Sequence, residues 1–284
     1  MLIRTISGAV FVAIICGFFC LRQFVCVQAF NVLILFLCTF GTFEIARAVK
    51  EKSNKTIFIV DIIYGILFVP LFYLTRYFLS VKNAILICGC LALFSAFIVL
   101  FVYKISTQGK SLKINFIYLV LPLIYPSILL LSMLVLNGLG KGFIGLLLVF
   151  VISPLSDTFA YLVGMTYQKI KKGNAKKLCP NLSPKKTVAG AIGGLVGGVI
   201  GGILVWLIFR PNFSTMPSVL LLSIIGFVGS IATEIGDLFE SLIKRKVGIK
   251  DMGKIMPGHG GVMDRIDGIL FCSAVVFIFL FFIR

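Results

Sequence analysis

The segment VAGAIGGLVGGVIGGILVWLIF, residues 188–209, decides the fold class of this chain. It contains no charged side chain, and it is as long as the run of about 20 apolar residues that crosses a hydrocarbon core roughly 30 Å thick. Its glycines recur at spacings of three and four residues, which predicts close packing against neighbouring helices. The alternative is that this surface of small residues lines a cleft for a lipid. In both cases the segment is a membrane-spanning helix.

Similar apolar runs occupy most of the chain on both sides of this segment. Of the 284 residues, 60% are hydrophobic and only 13% are charged, which is outside the range of soluble domains. Backbone polar groups in lipid must be satisfied within the segment, so these runs predict helices. We expect an all-α, polytopic integral membrane protein with about nine transmembrane helices. The predicted spans lie near residues 6–21, 24–43, 57–74, 83–103, 115–136, 142–166, 188–209, 218–238 and 267–283.

Two of these predicted spans carry carboxylates near their ends. Asp157 lies in the sixth span, and Glu234 and Asp237 lie in the eighth, so either span could be partly re-entrant. The first span follows Arg4, as it would in a signal peptide, but no small-x-small cleavage site follows and a second span comes at once. We therefore expect the first span to be retained as a helix.

The distribution of basic residues predicts the orientation in the membrane. With nine spans, 21 of the 27 Lys and Arg residues fall on one side, and cytoplasmic loops are the ones that retain such residues. The N-terminus and the basic loops should face the cytoplasm, where the net charge of +17 also favours contact with anionic membrane lipids. The basic loops lack interleaved aromatic residues, so we do not expect nucleic acid binding.

The chemistry is concentrated in the sequence SLIKRKVGIKDMGKIMPGHGGVMDRID, residues 241–267. This segment lies between two apolar spans and contains the only histidine of the chain, together with cations, carboxylates and glycines. Packing in a membrane gives no reason for such a cluster. We therefore expect N-terminal transmembrane helices in residues 1–140 and a C-terminal catalytic region in residues 141–284, with cytoplasmic catalytic loops.

The spacing of the acidic residues favours a site for a hard metal ion. Asp237, Ser241 and Lys244 follow one another at four and three residues, so they share one face if the eighth helix continues to Lys244. Asp264 and Asp267 are three residues apart at the start of the last helix, where carboxylates suit the helix dipole. Three carboxylates from two helix ends would form an all-oxygen site, which favours magnesium over zinc.

A second basic segment predicts a phosphate site. Pro184 breaks any helix just before Lys185 and Lys186, and the seventh span begins directly afterwards. The start of a helix offers free N–H groups and the positive end of the dipole, which both favour a bound phosphate. Asp157 and Tyr161, four residues apart at the end of the sixth span, could close the same site from a third side.

A simpler interpretation is that these are solvated charges that only mark the cytoplasmic boundary. That interpretation suits an isolated lysine or aspartate, but an ionisable residue at membrane depth costs on the order of 3 kcal/mol. Asp157, Glu234 and Asp237 are predicted at that depth, so we expect them to have a task. His259 in PGHGG could orient its loop or take part directly in the chemistry.

The motifs in the second half of the chain resemble those of phosphatidate cytidylyltransferases, also called CDP-diacylglycerol synthases. The resemblance covers roughly the C-terminal half, and two positions depart from the usual pattern, Met256 and Ala189. The matching segments are DTFAYLVG at 157–164, SPKKT at 183–187, GDLFES at 236–241, SLIKR at 241–245, KD at 250–251, HGG at 259–261 and DRID at 264–267.

The resemblance implies a magnesium-dependent nucleotidyltransferase of phospholipid biosynthesis. Such an enzyme transfers a cytidylyl group from CTP to phosphatidic acid and releases pyrophosphate, as a multi-pass protein of the plasma membrane and as a homodimer. Together with the spacing, it assigns metal binding to Asp237, Asp264 and Asp267, and Asp251 is either a further ligand or a partner of a neighbouring lysine. The expected catalytic and substrate-binding residues are Lys244, Arg245, Ser241, His259, Lys185, Lys186, Asp157, Tyr161, Ser183 and Arg265.

Three other functions remain as alternatives. A CDP-alcohol phosphotransferase would carry D-G-x-x-A-R, and Asp267-Gly268 is not followed by that pattern. A related membrane cytidylyltransferase acting on another lipid phosphate would share the same site residues. A transporter would place its ionisable residues near the bilayer midplane in repeated, broken helices, whereas here they cluster at one face and no repeat is visible.

Overall fold

The computed structural model describes residues 2–50, 55–106, 117–209, 218–258 and 260–282. In these ranges the chain forms nine α-helices, each long and apolar enough to cross a membrane, and one short β-hairpin. This confirms the predicted all-α polytopic architecture. The elements are α1 Leu2–Phe24, α2 Ala29–Ala48, α3 Lys55–Phe78, α4 Val81–Ser106, α5 Ile117–Asn137, α6 Gly142–Ile170, β1 Lys177–Cys179, β2 Ser183–Thr187, α7 Val188–Phe209, α8 Val219–Val247 and α9 Met263–Phe282.

The sixth and eighth helices are longer than the hydropathy predicts. Each is a continuous helix of 29 residues, so neither contains the break that a re-entrant segment needs. The last turns of α8 are charged and amphipathic, which is why hydropathy alone ends the span near residue 238. The helix stops at Gly248, whose φ of 83° is left-handed and whose N–H donates to the carbonyl oxygens of Lys244 and Arg245.

The chain divides into two compact units. The first unit comprises residues 1–137 and 249–265 and contains α1 to α5. In this unit α2 packs closely on α3, because a Cβ on Gly65 would lie 2.9 Å from the Cβ of Thr42. Buried side chains at the centre of the unit include Phe30, Ile34, Ile45, Phe72, Leu123, Leu130 and Met133.

The second unit comprises residues 138–248 and 266–284, and the glycines of α7 hold it together. On one side of α7, a Cβ on Gly197 would lie 2.7 Å from the carbonyl oxygen of Leu155 in α6. On the other side, a Cβ on Gly198 would overlap the carbonyl oxygen of Gly226 in α8. The glycine-rich segment is therefore a packing surface for two helices, as its spacing predicts.

Candidate active site

An open cavity of about 570 Å³ lies in the second unit, bounded by α6, β2, the start of α7 and α8. Its wall combines small and apolar residues with a concentrated set of charges. The charged and phenolic residues in the wall are Asp157, Tyr161, Lys185, Lys186, Glu234 and Asp237. Five of these six were predicted as site residues from the sequence, and Glu234 was noted only for its depth.

A β-hairpin places the two lysines of the cavity. Lys185 and Lys186 lie in β2, which pairs antiparallel with β1 so that Thr187 faces Lys177. The Thr187 hydroxyl then accepts a hydrogen bond of 3.0 Å from the N–H of Gly190 and caps the start of α7. The sequence placed the lysines at a helix start. In the structure they precede that helix in an extended strand, which the short and polar SPKKT sequence did not reveal.

Lys186 is the centre of the charged wall. Its ammonium nitrogen lies 2.6 Å from Oε2 of Glu234 and 2.6 Å from Oδ2 of Asp237, two residues that are three positions apart on α8. Burial alone would lower the pKa of this ammonium, but the charges of Asp237 and Glu234 outweigh burial and raise its pKa above the ordinary value. Lys186 therefore remains charged at neutral pH.

A second charged group lies on α8 and α9 of the same unit. The ammonium nitrogen of Lys244 is 3.0 Å from Oε2 of Glu240, which is completely buried, and the Glu240 side chain lies close to that of Asp267. Asp267 can approach α8 because residue 236 is glycine, where a Cβ would lie 2.6 Å from the Asp267 carbonyl oxygen. The charges of Asp237 and Asp267 also interact. The α8 face predicted from Asp237 to Lys244 is thus present, with Glu240 as an unpredicted member.

Other predicted residues of the second unit lie outside the cavity wall. Ser241 is buried, and its hydroxyl is 3.5 Å from Oδ1 of Asp237, a long hydrogen bond. Arg245 is exposed, and its Nε donates to the carbonyl oxygen of Leu182 at 3.4 Å. Ser183 begins β2 and does not line the cavity.

Four predicted residues belong to the first unit, in or next to a segment that we call the signature loop, residues 249–262. Oδ2 of Asp264 accepts hydrogen bonds from the backbone N–H groups of Met252, at 2.9 Å, and Gly261, at 2.7 Å. Asp251 and Arg265 are exposed. His259, the remaining prediction, lies outside the described residues.

Glu44 holds the end of the signature loop, and its sequence context does not predict this role. This buried residue of α2 accepts hydrogen bonds from the backbone N–H groups of Val262 and Met263. No motif surrounds Glu44, and its partners are more than 200 residues away, so only its position as a carboxylate in an apolar span could have drawn attention to it. Glu234 and Glu240 gave a better signal, since they share a helix face with Asp237 and Lys244.

The carboxylates of the second unit have the donor chemistry of a magnesium site. Two carboxylate oxygens already converge on one cation at Lys186, and all the candidate ligands are oxygens, which hard cations prefer. Within the described ranges, no three His, Cys, Asp or Glu side chains form a group that could hold a metal ion by themselves. Magnesium needs only one or two protein carboxylates, because substrate phosphates and water usually complete its set of ligands.

Known proteins with similar sequences point to a single enzyme family. Residues 2–283 match the cytidylyltransferase family. The chain is 33% identical over 241 residues to the phosphatidate cytidylyltransferase of Rickettsia conorii, which covers 81% of this chain and 94% of that relative. It is 38% identical over 139 residues to the enzyme of that name from Brucella abortus, covering 49% of this chain and 47% of the relative. For the Mycobacterium tuberculosis protein of that name, the identity is 34% over 139 residues, covering 49% and 38%.

Proposed function

This chain belongs to the cytidylyltransferase family, and on that premise we propose that it transfers the cytidylyl group of CTP to phosphatidic acid. The products are CDP-diacylglycerol and pyrophosphate. The observation that carries the proposal is the cavity of the second unit, in which Lys185 and Lys186 lie together with the carboxylates Asp157, Glu234 and Asp237. Cations and carboxylates in one open cavity suit a reaction between two phosphate-bearing substrates and a divalent metal ion.

We propose magnesium as the cofactor, with Asp237 and Asp267 as its ligands in the second unit. Their like charges repel each other, which a bound cation would relieve, and the contact between Asp237 and the Lys186 ammonium supports the ability of Asp237 to bind a cation. Asp264 remains a predicted ligand from its spacing and from the family resemblance, and Asp251 remains either a further ligand or a partner of a neighbouring lysine. When bound, the ion would supply positive charge that neutralises the phosphates and stabilises the departing pyrophosphate.

The residues of the chain then have to bring two anions together. An oxygen of phosphatidic acid attacks the α-phosphorus of CTP, a new P–O bond forms, and the bond between the α-phosphorus and the bridging oxygen of pyrophosphate breaks. The attacking oxygen is already ionised at neutral pH, so little general-base assistance is needed. Lys185 and Lys186 are the proposed phosphate contacts in the cavity, and positive charge fixed in advance is the main way in which proteins accelerate such transfers.

The charged face of α8 has a supporting role in this proposal. Lys244 and Arg245 are proposed contacts for CTP phosphates, and Arg245 offers the planar guanidinium that pairs with phosphate through two hydrogen bonds. Ser241 is proposed to orient Asp237 through the contact between their side chains. Tyr161, Ser183, Arg265 and His259 remain predicted substrate or catalytic residues.

The proposed setting is the cytoplasmic side of the plasma membrane. The excess of lysine and arginine in one set of loops supports an orientation in which the N-terminus and the catalytic loops face the cytoplasm. That orientation would give the site direct access to cytoplasmic CTP and to phosphatidic acid in the same leaflet. A homodimer remains a prediction from the family resemblance.

The proposal is tested by an acceptor assay on detergent-solubilised protein. Labelled CTP and magnesium are supplied with either phosphatidic acid or diacylglycerol, and the lipids are extracted and separated. We expect a labelled lipid with phosphatidic acid only, and loss of that product with a chelator of divalent ions. Transfer to diacylglycerol, or transfer that survives complete chelation, would contradict the proposed reaction or its metal requirement.

A further inference from the structure

Glu44 is a buried carboxylate that the proposed reaction does not use directly. It lies near the end of α2 and is only 1% exposed. Its Oε1 accepts a hydrogen bond of 3.0 Å from the N–H of Val262, and its Oε2 accepts one of 2.9 Å from the N–H of Met263. One side chain from the N-terminal helices therefore fixes two consecutive peptide groups at the end of the signature loop.

These contacts have a clear physical basis at the start of α9. The first N–H groups of a helix have no partner inside the helix, and Met263 is the first residue of α9. A carboxylate at this position satisfies those donors and is favoured by the positive end of the helix dipole. Hydrogen bonds to an ionised acceptor are roughly twice as strong as bonds between neutral groups. Glu44 thus acts as the cap of α9, supplied from a distant part of the sequence.

Two glycines of the signature loop fit closely around the same carboxylate. A Cβ built on Gly253 or on Gly261 would overlap the Glu44 carboxylate. Neither glycine has a left-handed φ, so the lack of a side chain serves close approach rather than an unusual backbone conformation. The loop therefore meets Glu44 at two places, at residue 253 and at residues 261–262.

The same stretch of loop orients a predicted metal ligand. Asp264 accepts hydrogen bonds from the N–H groups of Met252 and Gly261, which immediately precede Gly253 and Val262 in the chain. The peptide groups that hold Asp264 are therefore neighbours of the groups that contact Glu44. Any shift of the loop away from Glu44 would change the direction of the Asp264 carboxylate.

We propose that Glu44 is a positioning residue, which sets the conformation of the signature loop and thereby the orientation of Asp264. The inference rests on the proposed function for its catalytic consequence, but not for its structural part. Both carboxylate oxygens of Glu44 are bonded to backbone N–H groups, so the residue acts through the loop and not on substrate. The N-terminal helices then contribute to the reaction by holding the loop in place.

The structural part is tested by limited trypsin digestion of the solubilised protein. Lys254 is exposed in the signature loop, and Lys172 is exposed in a turn of the second unit and serves as an internal reference. In Glu44→Gln and Glu44→Ala we expect cleavage after Lys254 to rise about 10- to 10²-fold, the range for losing buried hydrogen bonds to a charged group. Cleavage after Lys172 should not change. A parallel rise at both sites would indicate general loosening and would overturn the proposal.

A double-mutant cycle tests the contact itself. In the wild-type background, Gly253→Ala should increase cleavage after Lys254, because the new methyl group meets the Glu44 carboxylate. In the Glu44→Ala background, the same substitution should increase that cleavage little further. Gly89→Ala is the matched control, since a Cβ on Gly89 in α4 of the same unit has no atom within 4 Å. Equal effects of Gly253→Ala in both backgrounds would refute the contact.

The effect of Glu44 on catalysis is tested by measuring label transfer by the same variants. We expect kcat to fall about 10²-fold in Glu44→Gln, the scale of a small misplacement of reacting groups, and the magnesium concentration for half-maximal rate to rise. Unchanged magnesium dependence together with a released loop would refute the link to Asp264. If the wild-type protein transfers no label, the proposed function fails, and the digestion still decides whether Glu44 holds the loop.

Discussion

Removal of the Lys186 ammonium is the perturbation whose effect the structure specifies best. In Lys186→Met, Glu234 and Asp237 lose the cation that each contacts at 2.6 Å. A hydrogen bond to a charged group contributes roughly 1.5–3 kcal/mol when buried. The Asp237 side chain is 34% exposed, so solvent screening reduces its share, and we expect about 2 kcal/mol in total. That loss corresponds to a drop of roughly 4–8 °C in the thermal midpoint.

The neighbouring lysine provides the matched control for this measurement. Lys185→Met makes the same chemical change one residue earlier in β2, on an exposed side chain that also lines the cavity. Both variants should lose label transfer, because both lysines are proposed phosphate contacts. Only Lys186→Met should lose stability, since substitutions of exposed residues usually change the free energy of unfolding by no more than about 0.5 kcal/mol.

A second substitution tests whether the lost stability comes from the unpaired carboxylates. In Lys186→Met combined with Glu234→Gln, one of the two carboxylates left without a cation is neutralised, so part of the lost thermal stability should return. The assay is a thermal denaturation of each purified variant at neutral pH. Unfolding is followed by the fluorescence of a dye that reacts with newly exposed cysteine thiols, or by light scattering. Equal midpoints for Lys186→Met and Lys185→Met would refute the role of the ammonium in stabilising the charged wall.

Further predictions concern packing, the metal ligands and pH. Gly198→Ala should destabilise the protein by about 1–3 kcal/mol, because the methyl group would overlap the Gly226 carbonyl oxygen, and denaturation midpoints compared with Gly89→Ala measure it. Asp267→Asn should abolish label transfer while the protein still inserts in membranes, because it removes a ligand charge and little volume; near-wild-type turnover would contradict the assignment. The wild-type protein should be more stable than Lys186→Met at every pH below the ordinary pKa of lysine. This difference should disappear as the pH rises through the raised pKa of Lys186, and denaturation midpoints at increasing pH measure it.

Hydropathy predicted the helices well because the membrane imposes the same requirement on each of them. A span must be apolar and about 20 residues long, and both properties are visible in the sequence without knowledge of its neighbours. The glycine spacing of α7 was informative for a related reason, since Gly197 and Gly198 must face two different helices at close range. The end of α8 at Val247 was missed because its last turns are amphipathic and lie outside the apolar window.

The candidate site was predicted in its residue types but only partly in its contacts. Asp157, Tyr161, Lys185, Lys186 and Asp237 do line one cavity, and their helical spacing or their position before α7 was enough to group them. Which carboxylate pairs with which cation depends on packing between elements, and no local pattern encodes it.

Glu44 illustrates the limit of sequence reasoning most clearly. Its hydrogen bonds to Val262 and Met263 join residues more than 200 positions apart, and the glutamate itself lies in an otherwise apolar segment without a recognisable motif. The glycines at 253 and 261 were visible, but the reason for them lies in another helix. Contacts of this kind can be found only when the tertiary structure is known.

Cytidylyl transfer carries the α-phosphorus of CTP into the lipid product, so the fate of labelled phosphorus distinguishes it from other transfers. Purified protein is supplied with magnesium, phosphatidic acid and CTP labelled either at the α-phosphorus or at the γ-phosphorus. We expect α-label to enter the lipid and γ-label to be recovered only as pyrophosphate. Entry of γ-label into the lipid would show transfer of a terminal phosphoryl group and would rule out cytidylyl transfer.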